Sequence, residues 1–178
     1  RENGINAYIP SNLFDNNFLN DLPFSLKVLP APVFNVDCLP DCNWNQVWES
    51  NFNPILIADK LSVRASFHNK PDKVDYDIII NPKMSFGTGH HETTALVAEI
   101  MLNHNLSDLN VLDMGCGTGI LAILAKMKGA AVVWAIDNDE WAYRNCIENC
   151  DANNCTDIKV LLGDASVIPD LKFDYIIA

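Results

Sequence analysis

Basic residues are the scarce class in this chain. Its 178 residues carry 12 Lys and Arg against 23 Asp and Glu, a formal charge of −11 at pH 7. The few cations are scattered, with no basic cluster. Nonspecific nucleic-acid binding rests on Lys and Arg contacts to phosphate, so no direct nucleic-acid partner is expected. An acidic surface suits a basic protein partner through electrostatic steering, and also serves solubility. Long apolar runs are absent too. None reaches the roughly 18 residues needed to span a bilayer, so no membrane association is expected. The six cysteines, Cys38, Cys42, Cys116, Cys146, Cys150 and Cys155, form no C-x-x-C pair and no Cys/His ligand set, which predicts no metal site. Cys146 and Cys150 fall four apart on an expected helix beside Ala142 and Ile147, a spacing that predicts small buried hydrophobes. Reduced thiols and a cytoplasmic location follow. No Ser/His/Asp set offers a covalent nucleophile, and no catalytic residue is singled out.

What is present centres on residues 110–139. Val111, Leu112 and Met114 make a short apolar run, expected as a buried parallel strand. Gly115, Gly117 and Gly119 follow, and glycine lets a backbone turn tightly and approach a ligand that a Cβ would repel. Residues 120–128 then carry helical spacing, with Gly129 placed as a C-cap glycine. A second apolar run, 131–136, ends at Asp137. Strand, glycine loop, helix, strand and acid form half of a nucleotide-binding α/β sheet, with the ligand at the carboxyl ends of the strands. The dinucleotide fingerprint G-x-G-x-x-G fails because Ile120 occupies its last position, and no lysine stands at Walker A spacing. Asp113, two residues before the first glycine, would repel a pyrophosphate but suits a cation. Asp137, 22 residues after Gly115, can accept from both hydroxyls of a ribose. An acid, a glycine loop and a ribose-binding acid describe a site for S-adenosyl-L-methionine, which is positive and carries no phosphate. The pattern resembles motif I and the following acidic position of the class I methyltransferases.

The flanking chain divides at its prolines. Residues 4–10 are expected as a strand ended by Pro10. Ser11 or Asn12 then caps a short helix holding Leu13, Phe14, Phe18, Leu19 and Leu22. Residues 24–29 alternate as a half-buried strand. Pro30, Pro32, Pro40 and Asp41 break the pattern. Residues 1–36 therefore read as the end of a small α+β domain. Residues 37–54 read as a linker whose helix carries Trp44, Val47, Trp48 and Phe52 on one stripe. Residues 55–178 read as the nucleotide-binding domain. Within it, residues 55–58 and 61–67 flank Asp59 and Lys60 as a hairpin, and 75–80 is a further strand. Asp139 is placed to cap a helix through Cys150, 158–162 is a strand, and 173–178 is another. Because the chain starts at Arg1 and stops inside that last strand, both ends are expected to be cut, with a C-terminal part to follow.

Between strand 75–80 and a helix over 92–103 runs Met84-Ser85-Phe86-Gly87-Thr88-Gly89-His90-His91-Glu92-Thr93-Thr94. Leu96, Val97, Ile100 and Met101 are expected to face inward. The hydroxyls at this helix N-terminus suit a carboxylate, so Thr93 or Thr94 is expected to touch a methionine moiety. Adjacent His90 and His91 cannot both face one metal from a helix. Phe86-Gly87-Thr88-Gly89-x-His91-x-Thr93-Thr94 resembles the signature of the ribosomal protein L11 methyltransferase (PrmA) family. Asp113-x-Gly-Cys-Gly-Thr-Gly-Ile-Leu-Ala122 and Trp44-x-x-x-Trp48-x-x-x-Phe52-x-Pro54 resemble that family as well. The resemblance implies a Rossmann-like class I methyltransferase sheet, preceded by the tail of a ferredoxin-like substrate-recognition domain. It implies that Thr94, Gly115 and Asp137 bind S-adenosylmethionine, with Asp113 and Gly117 beside them. At the level of the fold, it implies that Asp164 accepts from the adenine amino group or is a plain turn aspartate. The expected reaction is N-methylation of lysine side-chain or N-terminal amines of a large-subunit ribosomal protein. A class I methyltransferase acting on protein glutamine, RNA or a small molecule stays open, as does a noncatalytic module that keeps the pocket.

Overall fold

The structure is a computed structural model that describes residues 8–15, 35–38, 52–81, 87, 89 and 91–178. The chain divides into two compact units, Arg1–Asn43 and Trp44–Ala178. In the first, Ser11–Leu13 forms a 3-10 turn closed by Leu13 N–H donating to the Pro10 carbonyl at 2.9 Å. This corrects the expected helix where the two overlap, because the chain is no longer helical at residues 14 and 15. Residues 8–10, expected as a strand end, have no regular structure. The rest of that strand, the helix through Leu22, the strand over 24–29 and the linker helix with Trp44, Val47 and Trp48 lie outside the described residues. Phe52, the last member of the linker stripe, is buried in the core of the second unit.

The second unit holds two sheets. In the smaller, β1 (Ile55–Ile57) and β2 (Leu61–Arg64) pair antiparallel, and β3 (Tyr76–Ile79) lies parallel to β2. The expected hairpin forms, with Ala58 and Asp59 both at positive φ and Lys60 N–H donating to the Ile57 carbonyl. Arg64 and Asp77 face each other from β2 and β3 in a buried two-pronged contact, Nε–Oδ1 2.9 Å and Nη2–Oδ2 2.8 Å. The larger sheet is wholly parallel. It contains β4 (Asn110–Met114), β5 (Val132–Asp137), β6 (Lys159–Leu162) and β7 (Tyr175–Ile177), in the order β6-β5-β4-β7. β4 and β5 sit centrally, as their mostly apolar sequences favour, with Asp113 the one acid inside β4.

Three helices pack on this frame: α1 (Glu92–Asn103), α2 (Ile120–Met127) and α3 (Glu140–Ala152). α2 is buried nearly all round, with Ile120, Ile123 and Leu124 at 0–1% exposure. It ends as expected at Gly129, whose φ of +90° no β-carbon would favour. α3 begins at Asp139, whose Oδ1 accepts from Trp141 N–H at 2.7 Å and Ala142 N–H at 3.0 Å. Cys146 and Cys150 are buried on its inner face, and neither they nor Cys116 and Cys155 form disulfides. α1 has the expected ends but a rotated face. Thr94, Ala98, Met101 and Leu102 point inward, whereas Leu96 and Ile100 are more than half exposed. The true stripe follows i, i+4, i+7 and i+8 from a threonine, so a polar residue holds an inward position that hydrophobicity alone assigns to its neighbours. Among the described residues, no helix is long and apolar enough to cross a membrane, and no cluster of His, Cys, Asp and Glu could hold a metal.

Candidate functional site

Parallel pairing sets the carboxyl ends of β4 and β5 side by side, Asp113 opposite Ala135 and Met114 opposite Ile136. At these ends the chain must leave the sheet, and Gly115, Gly117 and Gly119 turn it into α2 with φ of +79°, +55° and +80°. Two of these glycines meet opposite surroundings. A Cβ on Gly119 would lie 2.6 Å from Cys146 Sγ, so this glycine lets the loop rest on α3. A Cβ on Gly115 would meet nothing within 4 Å, so this part of the loop faces open space.

That space is a cleft of about 140 Å³, walled by the loop, the start of α1 and the end of β7. It is below the roughly 300 Å³ at the low end for whole small-molecule sites, so it fits one portion of a nucleoside-sized ligand. Of the sequence-predicted residues, Thr94, Asp113, Gly115 and Gly117 line it together, and Thr93 joins them. Asp137 stands behind the loop. Its Oδ2 accepts from Gly117 N–H at 2.8 Å and its Oδ1 from Asp139 N–H at 3.0 Å. A carboxylate has about four lone-pair positions, so acceptor capacity remains. Asp164 does not line the cleft; it opens a 3-10 turn at the end of β6 and accepts from Ser166 N–H at 2.9 Å. Hydrogen bonds from Ser166 hold its carboxyl below the usual carboxylate range. Of the Gly87–Thr94 stretch and its flank, Phe86, Thr88 and His90 lie outside the described residues, while Gly87 reaches the cleft.

Asp113 is the chemically unusual group. It is 2% exposed, and burial pushes its carboxyl up to about 7, with the nearby Asp137 charge adding to the rise. Opposing them, Ala122 N–H donates to Asp113 Oδ2 at 3.1 Å. Ala122 lies in the first turn of α2, so this acid occupies the helix N-terminus where a phosphate-binding fold would seat its anion. The loop amides are directed inward as well. Gly115 and Cys116 N–H both donate to the Ile136 carbonyl, at 2.8 and 3.1 Å, and Gly119 N–H donates to the Cys116 carbonyl at 2.8 Å. With Gly117 N–H on Asp137, four loop donors are satisfied internally, and the loop is not the nest of outward N–H groups that cradles a pyrophosphate. The arrangement fits a ligand that brings a cation and no phosphate.

Comparison with known proteins decides the family. The model of the ribosomal protein L11 methyltransferase (PrmA) family matches residues 1–178. The chain belongs to this family. A relative in Porphyromonas gingivalis, named ribosomal protein L11 methyltransferase, is 48% identical across 99% of this chain and 62% of its own length. One of the same name in Bacteroides fragilis is 46% identical across 100% of this chain and 65% of its own. The chain thus spans just under two thirds of the length of these relatives. The crystal structure of a ribosomal protein L11 methylase from Lactobacillus delbrueckii subsp. bulgaricus superposes with a TM-score of 0.63 at 31% identity, covering 70% of this chain and 65% of that one. The α/β fold is therefore the expected Rossmann-like class I methyltransferase fold, and the family resemblance read from residues 44–54, 86–94 and 113–122 holds.

Sequence reasoning missed the apolar side of the cleft. Val97 comes from α1 and Ile177 from β7, where Ile177 pairs in register with Asp113. Only the strand order brings Ile177 there, and no local pattern encodes it. The hydrogen-bonding asparagines of α3 were missed too, although three asparagines at four-residue spacing in a helix are a readable signal, since Asn is a poor helix former.

Proposed function

We propose that the cleft binds S-adenosyl-L-methionine and that the intact protein methylates lysine side-chain or N-terminal amines of a large-subunit ribosomal protein, in the cytoplasm. The observation that carries the cofactor reading is the inward use of the loop amides together with Asp113 at the start of α2, which favours a cation over a phosphate. The family's name and the two relatives' names support the substrate reading.

In this reading Asp113 faces the ligand's ammonium group, and Thr94 at the start of α1 receives its carboxylate. Gly115 and Gly117 let the ligand lie against bare backbone. Asp137 keeps lone pairs for the ribose hydroxyls, and Asp164 takes the adenine amino group. The bound cofactor supplies a methyl group on a sulfonium, electrophilic enough to need no covalent enzyme intermediate. The protein's task is to align sulfur, methyl and nitrogen, worth about 7–11 kcal/mol. The accepting amine must also be neutral. At pH 7 that costs about 4.6 kcal/mol for a lysine near ~10.4 and about 1.4 kcal/mol for an α-amino group near ~8. Desolvation of the amine lowers the first cost. Alignment outweighs deprotonation for either amine.

The test is incubation of the intact protein with labelled S-adenosylmethionine and purified ribosomal protein L11, read by mass spectrometry. Methyl groups on lysine or the N-terminal nitrogen are the expected result. Label on glutamine, RNA or a small molecule instead would move the activity to another substrate.

A further inference from the structure

α3 carries Asn145, Asn149 and the helix-ending Asn153 at four-residue spacing. All three turn towards backbone rather than solvent. Asn153 clamps Ile79, accepting from its N–H at 2.8 Å and donating to its carbonyl at 2.6 Å. Asn145 donates to the Asn81 carbonyl at 3.3 Å. Asn149, at 0% exposure, does something different. Its Oδ1 accepts from Asn81 N–H at 2.8 Å, where β3 leads on towards Gly87. Its Nδ2 donates to the Thr118 carbonyl at 2.8 Å, inside the glycine loop. The Thr118 hydroxyl then donates to the Gly87 carbonyl at 2.5 Å.

These bonds run in series from Asn81 at the end of β3 through Asn149 and Thr118 to Gly87, and form one circuit of hydrogen bonds. It ties together the two chain segments that wall the cleft, the glycine loop and the approach to α1. Neither Asn149 nor Thr118 lines the cleft. Both are fully buried, so each bond acts in a low dielectric and its loss leaves a carbonyl or amide unpaired. The loop's own amides tie it to β5, and Asn149 and Thr118 add its tie to the approach to α1. Gly115, Gly117 and Gly119 leave its backbone with few intrinsic restraints, and Gly119 already rests on Cys146 of the same helix.

We propose that Asn149 and Thr118 are positioning residues that fix the spacing between the glycine loop and the Gly87–Thr94 segment, and so set the affinity for S-adenosylmethionine. This rests on the cofactor reading above. Asn149 is the hinge pin of the circuit because its single carboxamide serves both segments with one donor and one acceptor. Thr118 transmits that position to Gly87 through a hydroxyl that serine can replace and valine cannot.

The test uses the intact protein in five forms: wild type, Thr118→Val, Thr118→Ser, Asn149→Ala and the double variant Thr118→Val/Asn149→Ala. Each is read by amide hydrogen exchange over residues 115–119 without ligand, and by calorimetric titration with S-adenosylmethionine. Thr118→Val should raise exchange in the loop and weaken binding about fivefold or more, with Thr118→Ser close to wild type. Combining Thr118→Val with Asn149→Ala should cost less than the sum of the two, because both cut one circuit. Loop exchange and affinity unchanged in Thr118→Val, or equal loss in Thr118→Ser, would overturn the proposal. Thr118→Val differs little in volume from the parent, so it keeps the test open if Asn149→Ala does not fold. If the wild type fails to bind S-adenosylmethionine, the cofactor reading falls, while the exchange arm still reports whether the circuit holds the loop.

Discussion

Asp113 and Asp137 stand on neighbouring strands within electrostatic reach, yet their surroundings differ. Asp137 receives two backbone N–H groups. Asp113 receives one and is buried, so its carboxyl titrates at about 7 rather than near 3.8. The sign of the consequence is opposite to the usual carboxylate. The folded state holds the proton that the unfolded state releases, so Asp113 lowers stability progressively from about pH 4 to pH 7. A shift of about three units corresponds to roughly 4 kcal/mol at most. Asp113→Asn should therefore gain stability at pH 8 relative to pH 5 when chemical denaturation of the two proteins is compared. If the ionised form binds the ligand's ammonium group, affinity for S-adenosylmethionine should rise about fivefold between pH 6 and pH 7, as the ionised fraction grows. Calorimetry at the two values checks this, and Asp113→Asn should flatten the dependence. If Asp137 accepts from the ribose hydroxyls as proposed, Asp137→Ala should weaken the same binding by roughly 1–3 kcal/mol. An unchanged dissociation constant in that variant would remove Asp137 from the site.

At the scale of elements, the strand–loop–helix–strand unit was legible because each part has a local cause. Val111 and Leu112 form a buried run, three glycines supply positive φ, and Gly129 and Asp139 mark a helix end and a helix start. The facing of α1 was legible only in part, at Val97 and Met101. Leu96 and Ile100 read as core by hydrophobicity, but the helix turns Thr94 and Ala98 inward, one towards the cleft and one into the packed core. The clamps of α3 were hidden for a different reason. Their partners are backbone groups of Ile79, Asn81 and Thr118, and a backbone group has no residue signature. The hairpin of 55–57 and 61–64 was legible, but the parallel pairing of 76–79 with 61–64 into a separate sheet was invisible, because strand order is a long-range property. Within that sheet, the Arg64–Asp77 contact has both side chains only 9% exposed. Asp77→Ala should destabilise by about 3 kcal/mol, because it takes the carboxylate from a buried guanidinium that keeps only carbonyl partners at His68 and Ala65. Asp139→Ala, which removes the α3 cap, should cost only about 1 kcal/mol. Urea unfolding of both variants orders the two effects, and a larger loss from Asp139→Ala would contradict the role given to burial.

For the molecule as a whole, the acidic balance and the cleft point to different partners. The net charge of −11 suits a basic protein substrate. If steering matters, raising salt from 50 to 300 mM should slow methylation of ribosomal protein L11 through its apparent KM, with kcat nearly unchanged. The cleft is proposed as the cofactor's, and its character comes from where four loop amides and one buried acid point. Titration of the intact protein with S-adenosylmethionine, repeated with NAD and ATP as competitors, tests that directly. The expected result is saturable one-to-one binding that a roughly tenfold excess of either phosphate-bearing nucleotide leaves unchanged. Displacement by NAD or ATP, or no saturable binding of S-adenosylmethionine, would contradict it.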